Sequence, residues 1–404
     1  MRRKLDLRTG TPVWSAYRAP RVPTHRLVRD AAADVLVVGM GISGAMIAQA
    51  LTADGLSVIG IDRRGPLKGS TAATTALVSF ELDQPLSLLS GKIGKDRAER
   101  VWRRSRLAVT GLKARIAELA IPCRLVERPS LYLSGNVLDA DALRDEVTCR
   151  RAAGLHATYL RRAELRERFG IDHAAALLSA DNLALDPKKL AAGLLRDAVA
   201  RGARLYEPAE AISFEESGRR MLVGTRNGPV IDAATVVLAT GYELADIVPA
   251  VPHRIVSTWA IATKPQPRKL WPQQAFIWEA ADPYLYIRAT SDGRVICGGE
   301  DENFSDEEKR DALIAAKTAK LAAKLGRLLP GIDTEPDFAW AGSFGTTATG
   351  EPIIGRLPRR GSTYAVMGYG GNGINFSALA SEIIRTALAG GKDRDADLFS
   401  FSHQ

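Results

Sequence analysis

The chain has 404 residues, and 55 Lys and Arg against 46 Asp and Glu give it a formal net charge of +9. A hydrophobic share of 46% and a charged share of 25% are ordinary for a globular protein and exclude wholesale disorder. The length predicts roughly two to three domains. The three cysteines, Cys123, Cys149 and Cys297, lie far apart, which argues against a disulfide scaffold, a zinc ribbon or a dithiol redox centre.

The positive charge suggests a nucleic acid or a membrane surface as a partner. The basic residues are scattered, however, and their densest cluster, residues 97–115, follows an amphipathic helical pattern, which indicates a solvated helix face. The uncharged stretch 35–53 has the length of a membrane span, but several glycines interrupt it. The basic N-terminus has no apolar run and so does not resemble a secretory signal. We therefore expect a cytoplasmic protein with no nucleic-acid partner and no integral membrane segment.

In chain order, residues 1–32 contain three prolines and predict an irregular extension that lies on the domain surface. A buried strand from Asp34, a helix over 42–53 and a second strand over 56–61 then form a β-α-β unit. Further helical patterns occur at 94–119, 138–153, 161–168 and 187–201.

Strand-rich stretches cover residues 203–238 and 254–299. Ser305 and Glu308 form a predicted capping box, which opens a Lys-rich helix ending before Pro330. The last unit consists of a strand at 363–367, a glycine loop and a helix over 374–388.

The first glycine loop, Gly39-Met-Gly41-Ile-Ser-Gly44, matches the G-x-G-x-x-G pattern between a strand and a helix. Such glycines allow a tight turn and a close approach of a pyrophosphate to the helix N-terminus. Asp62, which ends the next strand, is placed to accept hydrogen bonds from a ribose. This carboxylate would repel a 2′-phosphate, so NADP is disfavoured, although Arg63 and Arg64 favour it.

A second match, Gly368-Tyr-Gly370-Gly371-Asn-Gly373, again lies between a strand and a helix. It cannot belong to a second complete dinucleotide unit, because only residues 390–404 follow its helix. We interpret the two loops as binding the two ends of one ligand, and FAD fits, since a helix N-terminus stabilises the negative charge of a reduced flavin. A plain loop packed on the sheet edge is the alternative.

Six elements occur in the order typical of one protein family: ADVLVVGMGISGAMIAQALTADGLSVIGIDRR, LDPKKLAAGLLRDAVARGARLYE, VVLATGYE, YIRATSDGRVICGGED, WAGSFGTTATGEPIIG and MGYGGNGINFSALASEII. In these elements the chain resembles the D-amino-acid oxidase-like FAD-dependent oxidoreductases. That family includes sarcosine oxidase, glycine oxidase and gamma-glutamylputrescine oxidoreductase, and the lead-in WSAYRAP is most similar to the last of these branches.

The resemblance implies which residues bind FAD. The pyrophosphate would contact the first loop and the ATG strand end, the adenosine would lie near the acidic strand end, and the flavin would contact residues 68–77 and the second loop. The implied residues are Gly39, Gly41, Ile42, Ser43, Gly44, Thr240 and Gly241 for the pyrophosphate; Asp62, Arg63 and Ala211 for the adenosine; Thr71, Thr75, Ala76, Gly370, Gly371, Asn372, Gly373 and Ile374 for the flavin.

The resemblance also implies non-covalent binding of FAD. Some family members attach the flavin through a His, where this chain has Ala72 and Ala73. Others use a Cys, where this chain has Ser343.

Arg288 is the sharpest candidate for substrate binding, because relatives that oxidise amino acids place a carboxylate-binding residue in this strand region. A planar guanidinium suits a carboxylate, and strand alternation puts Tyr284, Tyr286 and Arg288 on one face. A structural ion pair of Arg288 is an equal alternative. Tyr369 and Asn372, in the second loop, are expected beside the flavin and the substrate. Trp259 and Trp340 are expected in the core rather than in a pocket wall.

We therefore predict an α/β, Rossmann-like FAD-binding domain with a parallel sheet, interleaved with an α+β substrate domain that has a mixed sheet. The FAD domain is expected from residues 33–88, 180–252 and 336–395, the substrate domain from 89–179 and 253–335, and a tail from 396–404.

The predicted reaction is oxidation of the C–N bond of a small amine or amino acid, by hydride transfer to flavin N5 and without a metal. Electrons would pass on to oxygen or to an electron-acceptor protein or quinone. The alternatives are C–O oxidation of a hydroxy acid or polyol phosphate, and a basic RNA- or membrane-associated flavin-binding module without turnover.

Overall fold

The computed structural model describes residues 6–251, 253–358 and 360–403. The strands are β1 (Arg8–Gly10), β2 (Ala31–Val38), β3 (Val58–Ile61), β4 (Leu77–Val78), β5 (Val126–Leu133), β6 (Thr158–Arg161), β7 (Ala175–Ala184), β8 (Arg204–Tyr206), β9 (Ala211–Ser217), β10 (Arg220–Thr225), β11 (Val230–Leu238), β12 (His253–Thr263), β13 (Phe276–Glu279), β14 (Leu285–Ala289), β15 (Val295–Glu302), β16 (Pro336–Thr347), β17 (Ile353–Leu357) and β18 (Arg360–Met367). The helices are α1 (Ile42–Ala53), α2 (Leu86–Ile93), α3 (Lys95–Glu118), α4 (Ala142–Ala152), α5 (Arg162–Phe169), α6 (Pro187–Ala200), α7 (Glu307–Ala312), α8 (Ile314–Leu328) and α9 (Gly373–Leu388).

The smaller of two sheets has the strand order β17-β18-β11-β2-β3-β8, with β10 and β9 added in antiparallel fashion beside β11. The strands from β18 to β8 run parallel. Parallel neighbours need crossover connections, which are commonly helical, and α1 packs between α6 and α9. Because parallel strands end at one edge, the loops that follow β2, β3, β11 and β18 meet there.

The larger sheet has the order β1-β16-β12-β15-β14-β13-β5-β7-β4, and β6 also pairs with β7. Its pairings are antiparallel except for β13 with β5, so it is a mixed sheet. Helix α8 packs on β12, β15 and β16 and closes a second hydrophobic core. The two sheets confirm the predicted fold class, a parallel α/β sheet combined with a mixed sheet.

Several local predictions agree with these bounds. The β-α-β unit is present as β2, α1 and β3, and α3, α4, α5, α6 and α9 lie within a few residues of the predicted helical patterns. Strand β16 lies in the larger sheet, although its residues fall within the segment 336–395 that we assigned to the FAD domain. None of the helices in the described part of the chain is both long and apolar enough to cross a bilayer.

Two local predictions differ from the structure. The N-cap of the Lys-rich helix is Asp306, whose side chain accepts a hydrogen bond from Lys309 N at 3.0 Å, and not Ser305; the helix is also divided at Leu313. The N-terminal extension does not simply lie on the surface. Its strand β1 pairs with β16, and Trp14 is buried in the main core.

Candidate active site

One cavity of about 650 Å³ opens at the carboxyl edge of the parallel strands and contacts both glycine loops. At one end it is bordered by Asp62 and Ala211, and at the other by aromatic residues of the larger sheet, among them Tyr284 and Tyr286. The cavity therefore connects the two sheets and joins the two loops, as a single long ligand requires.

The first glycine loop brings strand and helix into direct contact. A Cβ atom on Gly44 would lie 1.8 Å from Gly39 O, and a Cβ on Gly39, which has φ +105°, would lie 2.4 Å from Ala239 O. Thr71 Oγ1 accepts a hydrogen bond from Ile42 N at 2.9 Å. Helix α1 has no capping side chain and no acid in its first turn, so its N-terminus can stabilise an anion.

Asp62 is held rigidly by the backbone around it. Its Oδ2 accepts from Met40 N at 2.9 Å, and its Oδ1 accepts from Arg64 N at 2.8 Å and Gly65 N at 3.0 Å. Burial raises the pKa of Asp62, and these donors oppose the rise. Besides the bond from Met40 N, Oδ2 can accept another hydrogen bond, as a ribose hydroxyl would supply. Arg63 and Arg64 both pair with Glu243.

The second glycine loop is fixed to residues 79–83. Asn372 Nδ2 donates to Ser79 O at 3.1 Å and to Glu81 O at 2.9 Å, and Gly371 N donates to Asp83 Oδ2 at 2.8 Å. The amide nitrogen of Asn372 thus holds two chain segments together. Helix α9 also begins with no capping side chain and no acid in its first turn.

Four consecutive carbonyls, at residues 73–76, are held from outside the cavity by large side chains. We call this segment the 73–76 loop. Trp340 Nε1 donates to Ala73 O at 2.7 Å, Trp14 Nε1 donates to Thr74 O at 2.6 Å, and Arg288 Nη1 donates to Thr75 O at 3.4 Å and to Ala76 O. Ala73, Thr74 and Thr75 line the cavity. The three side chains therefore fix the cavity wall where the flavin was expected.

Arg288 does not line the cavity and is not positioned to bind a substrate carboxylate there, contrary to the expectation from the family resemblance. It is 3% exposed, and besides the 73–76 loop it contacts Leu185 O at 3.1 Å. No acid pairs with it among the described residues, so the alternative of an ion pair also fails. Burial lowers the pKa of Arg288 to about 10, and its partners are main-chain carbonyls. Arg288 positions the 73–76 loop.

We expect Arg288→Met to lose bound flavin and to lower the free energy of unfolding by about 3 kcal/mol or more, because several buried carbonyls lose a charged donor. Flavin absorbance per protein and urea denaturation measure the two effects, with Arg124→Met as the control. A variant with full flavin content, normal stability and a raised KM only for carboxylate-bearing substrates would instead restore the role of Arg288 as a substrate clamp.

Tyr286 and Tyr369 both line the cavity. Tyr286 Oη lies 3.4 Å from Thr258 Oγ1, and burial raises its pKa well above the ordinary value. The Tyr369 hydroxyl is buried beside Ser43 and Ser377, whose own hydroxyls lie 2.7 Å apart. Both tyrosines stay protonated at neutral pH, so each presents a neutral hydroxyl.

Most of the predicted site residues come together around the cavity. Those that line it are Gly39, Gly41, Ile42, Ser43, Asp62, Arg63, Thr71, Thr75, Ala211, Thr240, Gly241, Tyr286, Tyr369, Gly370, Gly371, Asn372, Gly373 and Ile374. Gly44, Ala76 and Arg288 lie outside its lining: Gly44 packs against Gly39, and Ala76 presents its carbonyl to Arg288. Trp259 and Trp340 are buried in the core, as expected.

Further lining residues were not among the predicted sites. Among them are Asp83 and the aromatic side chains of Tyr242, Phe276, Trp278 and Tyr284. Phe276 and Trp278 alternate along the sequence shortly before Tyr284 and Tyr286, and this pattern is a signal from which the aromatic wall of the cavity could be predicted. Asp83 has no such signal, because the second glycine loop reaches it across 288 residues.

The residues present fit FAD. Two uncapped helix N-termini face one cavity, an acid with acceptor capacity lies at one end, and an aromatic chamber lies at the other. Ala73 and Ser343 line the wall at the positions where relatives carry His or Cys, and Ser343 Oγ accepts from Arg310 Nη1 at 2.9 Å. Non-covalent binding therefore stays our prediction, and release of the yellow chromophore on acid precipitation would support it.

Comparison with known proteins agrees with this site. A family model described as FAD dependent oxidoreductase (DAO) matches residues 34–386. A relative from Haemophilus influenzae, named probable oxidoreductase OrdL, is 23% identical over 377 residues, which cover 90% of this chain and 84% of that protein.

Solved structures share the fold at low identity. Glycine oxidase from Geobacillus kaustophilus superposes with a TM-score of 0.78 at 22% identity, over 93% of this chain and 99% of that one. L-amino acid deaminase from Proteus myxofaciens gives a TM-score of 0.79 at 15% identity, over 100% and 99% of the two chains. Since the family model spans most of the sequence and the cavity fits its cofactor, the chain belongs to the DAO family of FAD-dependent oxidoreductases.

Proposed function

We propose that this protein oxidises the C–N bond of a small amine or amino acid. The observation that carries the proposal is the negative charge at the inner end of the cavity, by which we mean the chamber bordered by aromatic residues of the larger sheet. Asp83 lies there among aromatic side chains, and the lining arginines, Arg63 and Arg64, pair with Glu243, away from it. An acidic chamber favours a protonated amine and disfavours a hydroxy acid or a polyol phosphate, which are anions.

FAD, when bound, supplies the acceptor for two electrons and the hydrogen on the carbon beside nitrogen. The ammonium form of the substrate first releases one proton to solvent; the neutral amine then loses these and becomes an iminium ion, which takes up water and breaks into a carbonyl compound and an ammonium ion or protonated amine. The chain's own residues bind and orient: Gly39, Ser43 and Asp62 would hold the nucleotide half, and the 73–76 loop and the second glycine loop would hold the flavin. The aromatic walls would exclude water from the reacting carbon.

The names of two structural neighbours support the proposal, since glycine oxidase and L-amino acid deaminase are named for reactions on amino acids. The final electron acceptor is proposed as oxygen or a separate protein or quinone.

The test is an anaerobic panel on the purified flavoprotein. We expect amines or amino acids to bleach the flavin absorbance, and lactate, glycolate and glycerol 3-phosphate to leave it unchanged. Product analysis should then show a carbonyl compound and released ammonia or amine. Bleaching by the hydroxy compounds alone would replace the proposal with C–O oxidation.

A further inference from the structure

The two carboxylates that line the inner part of the cavity differ in how their charge is balanced. Glu81 forms an ion pair with the buried Arg150, which it shares with Glu146, and also accepts hydrogen bonds from Ser130 Oγ and, at 3.0 Å, from Ser179 Oγ. Asp83 accepts one hydrogen bond, from Gly371 N, and among the described residues no Lys or Arg forms an ion pair with it.

Asp83 is half-buried at the cavity wall, and a carboxylate withdrawn from water without a counter-charge is costly in free energy. Burial raises the pKa of Asp83 accordingly, and Gly371 N opposes the rise. A second acid, Asp301, lies behind the cavity wall and near Asp83: burial raises the pKa of Asp301 to about 7, the charge of Asp83 adds to the rise, and Thr258 and Lys317 oppose it. One Asp301 oxygen, Oδ1, is buried without a hydrogen-bond partner. This end of the cavity therefore favours a cation.

The walls of the chamber suit a cation as well. Burial, with the charge of Asp83 next, raises the pKa of Tyr284 well above its ordinary value, so the ring stays neutral. The rings of Tyr284 and Tyr286 lie 5.5 Å apart, and Trp278 stacks on Tyr132 at 3.9 Å, so these walls are packed in place. Aromatic faces attract alkylammonium groups, most strongly where water is excluded.

A substrate carboxylate has no comparable partner here. The arginine expected to bind it, Arg288, contacts main-chain carbonyls outside the cavity. Among the described residues that line the cavity, the basic ones are Arg63, Arg64 and His253, and both arginines pair with Glu243. An amino acid would place its carboxylate close to Asp83 without a compensating cation.

We propose that the substrate is a cationic amine without a carboxylate on the reacting carbon, and that Asp83, with Tyr284, Tyr286 and Trp278 around it, binds the substrate's ammonium group. This inference rests on the proposed C–N oxidation and narrows its substrate class. Asp83 is a binding residue: it offers its Oδ1 and the free lone pair of Oδ2 to the N–H donors of the ammonium.

The test uses the intact flavoprotein and two substrate pairs that differ only by the carboxylate: butylamine with 2-aminopentanoate, and benzylamine with 2-phenylglycine. Anaerobic flavin bleaching against concentration gives an apparent Kd and a rate for each compound. In each pair, we expect the bleaching rate divided by the apparent Kd to be at least about 10-fold higher for the amine than for its carboxylated partner. Preference for the carboxylated partner in both pairs would overturn the inference while leaving C–N oxidation intact.

Asp83→Asn keeps an acceptor for Gly371 N and removes the charge. We expect this substitution to raise the apparent Kd of the amines about 10- to 100-fold. The apparent Kd of the carboxylated partners should stay unchanged or fall. The control is Asp172→Asn, at an exposed acid paired with Arg162 on the surface. This variant should change neither the apparent Kd of the amines nor that of the carboxylated partners. Unchanged amine binding in Asp83→Asn, at full flavin content, would contradict the role of Asp83.

A binding measurement separates this inference from the reaction itself. Calorimetry with tetramethylammonium should show binding to the unmodified flavoprotein and weaker binding to Asp83→Asn, whereas acetate should not bind. If no amine or amino acid bleaches the flavin, the proposed function fails, and tetramethylammonium binding still decides whether the chamber recognises cations. Acetate binding without tetramethylammonium binding would overturn the cation site.

Discussion

Gly44→Ala should yield a protein that no longer retains FAD. The added Cβ would lie 1.8 Å from Gly39 O, so the start of α1 must move away from β2 by more than 1 Å. Helix α1 packs between α6 and α9 and is buried along most of its length, so this shift has little room. We expect the free energy of unfolding to fall by about 1–3 kcal/mol, as for other overpacked sites. Displacing the N–H groups of the loop by 1 Å should weaken FAD binding about 100-fold.

Gly91→Ala is the matched control, because Gly91 lies in helix α2 with no atom within 4 Å of an added Cβ. Alanine is the better helix former, so this variant should be unchanged or up to about 1 kcal/mol more stable. Flavin fluorescence released on titration with apoprotein gives the Kd of FAD. Wild-type FAD affinity in Gly44→Ala would show that the strand and helix tolerate separation and that the loop does not set the pyrophosphate site.

Arg150→Met should be the most destabilising substitution of a charged residue outside the cofactor loops. Arg150 is fully buried between Glu81 and Glu146, and its guanidinium lies 4.5 Å from the ring centroid of Trp102. Removing the guanidinium leaves two buried carboxylates without a counter-charge, which lowers the free energy of unfolding by about 3–5 kcal/mol. Arg106→Met, at an exposed pair with Asp181, should cost less than about 1 kcal/mol.

The loss in Arg150→Met should depend on pH. Burial acts to raise the pKa of Glu146, but Arg150 and Ser87 outweigh it and hold that pKa below its ordinary value. The ionised Glu146 therefore stabilises the folded state above the unfolded-state pKa of this carboxyl, and this stabilisation is lost as the pH falls through its folded-state pKa. Without the guanidinium the pKa rises, the folded state binds more protons than the unfolded chain, and the deficit shrinks as the pH is lowered. Urea denaturation should therefore show a smaller deficit at pH 5 than at pH 8, and a deficit that is equal at both would contradict the pairing.

The cofactor loops could be predicted from the sequence because their signals are local. A strand, three glycines, a helix and an acid at the next strand end fix the backbone within a short segment, and Gly39 and Gly44 lie in direct contact as that pattern requires. The same holds for α9, whose glycine loop immediately precedes it. The backbone conformation of these segments depends little on distant residues.

The substrate end could not be predicted in the same way. Alternation correctly put Tyr286 and Arg288 on one face of β14, but two residues along a strand are about 7 Å. That distance takes Arg288 out of the chamber and beneath the 73–76 loop. Strands β5 and β7 were missed for a related reason: the Ala- and Leu-rich start of β7 resembles a helix, and Pro129 interrupts β5, yet pairing with each other overrides both tendencies.

The N-terminal strand β1 has a consequence for how the protein is made. It is translated long before its partner β16, which begins at Pro336, and Arg310 Nη1 reaches Asp6 O across 304 residues. Trp14, which holds the 73–76 loop, belongs to the same early segment. The edge of the larger sheet therefore stays unpaired until most of the chain has been translated, and the flavin wall is completed only then. We therefore expect stable binding of the cofactor only after β16 has been translated, and an affinity tag fused before Arg8 should interfere with that step.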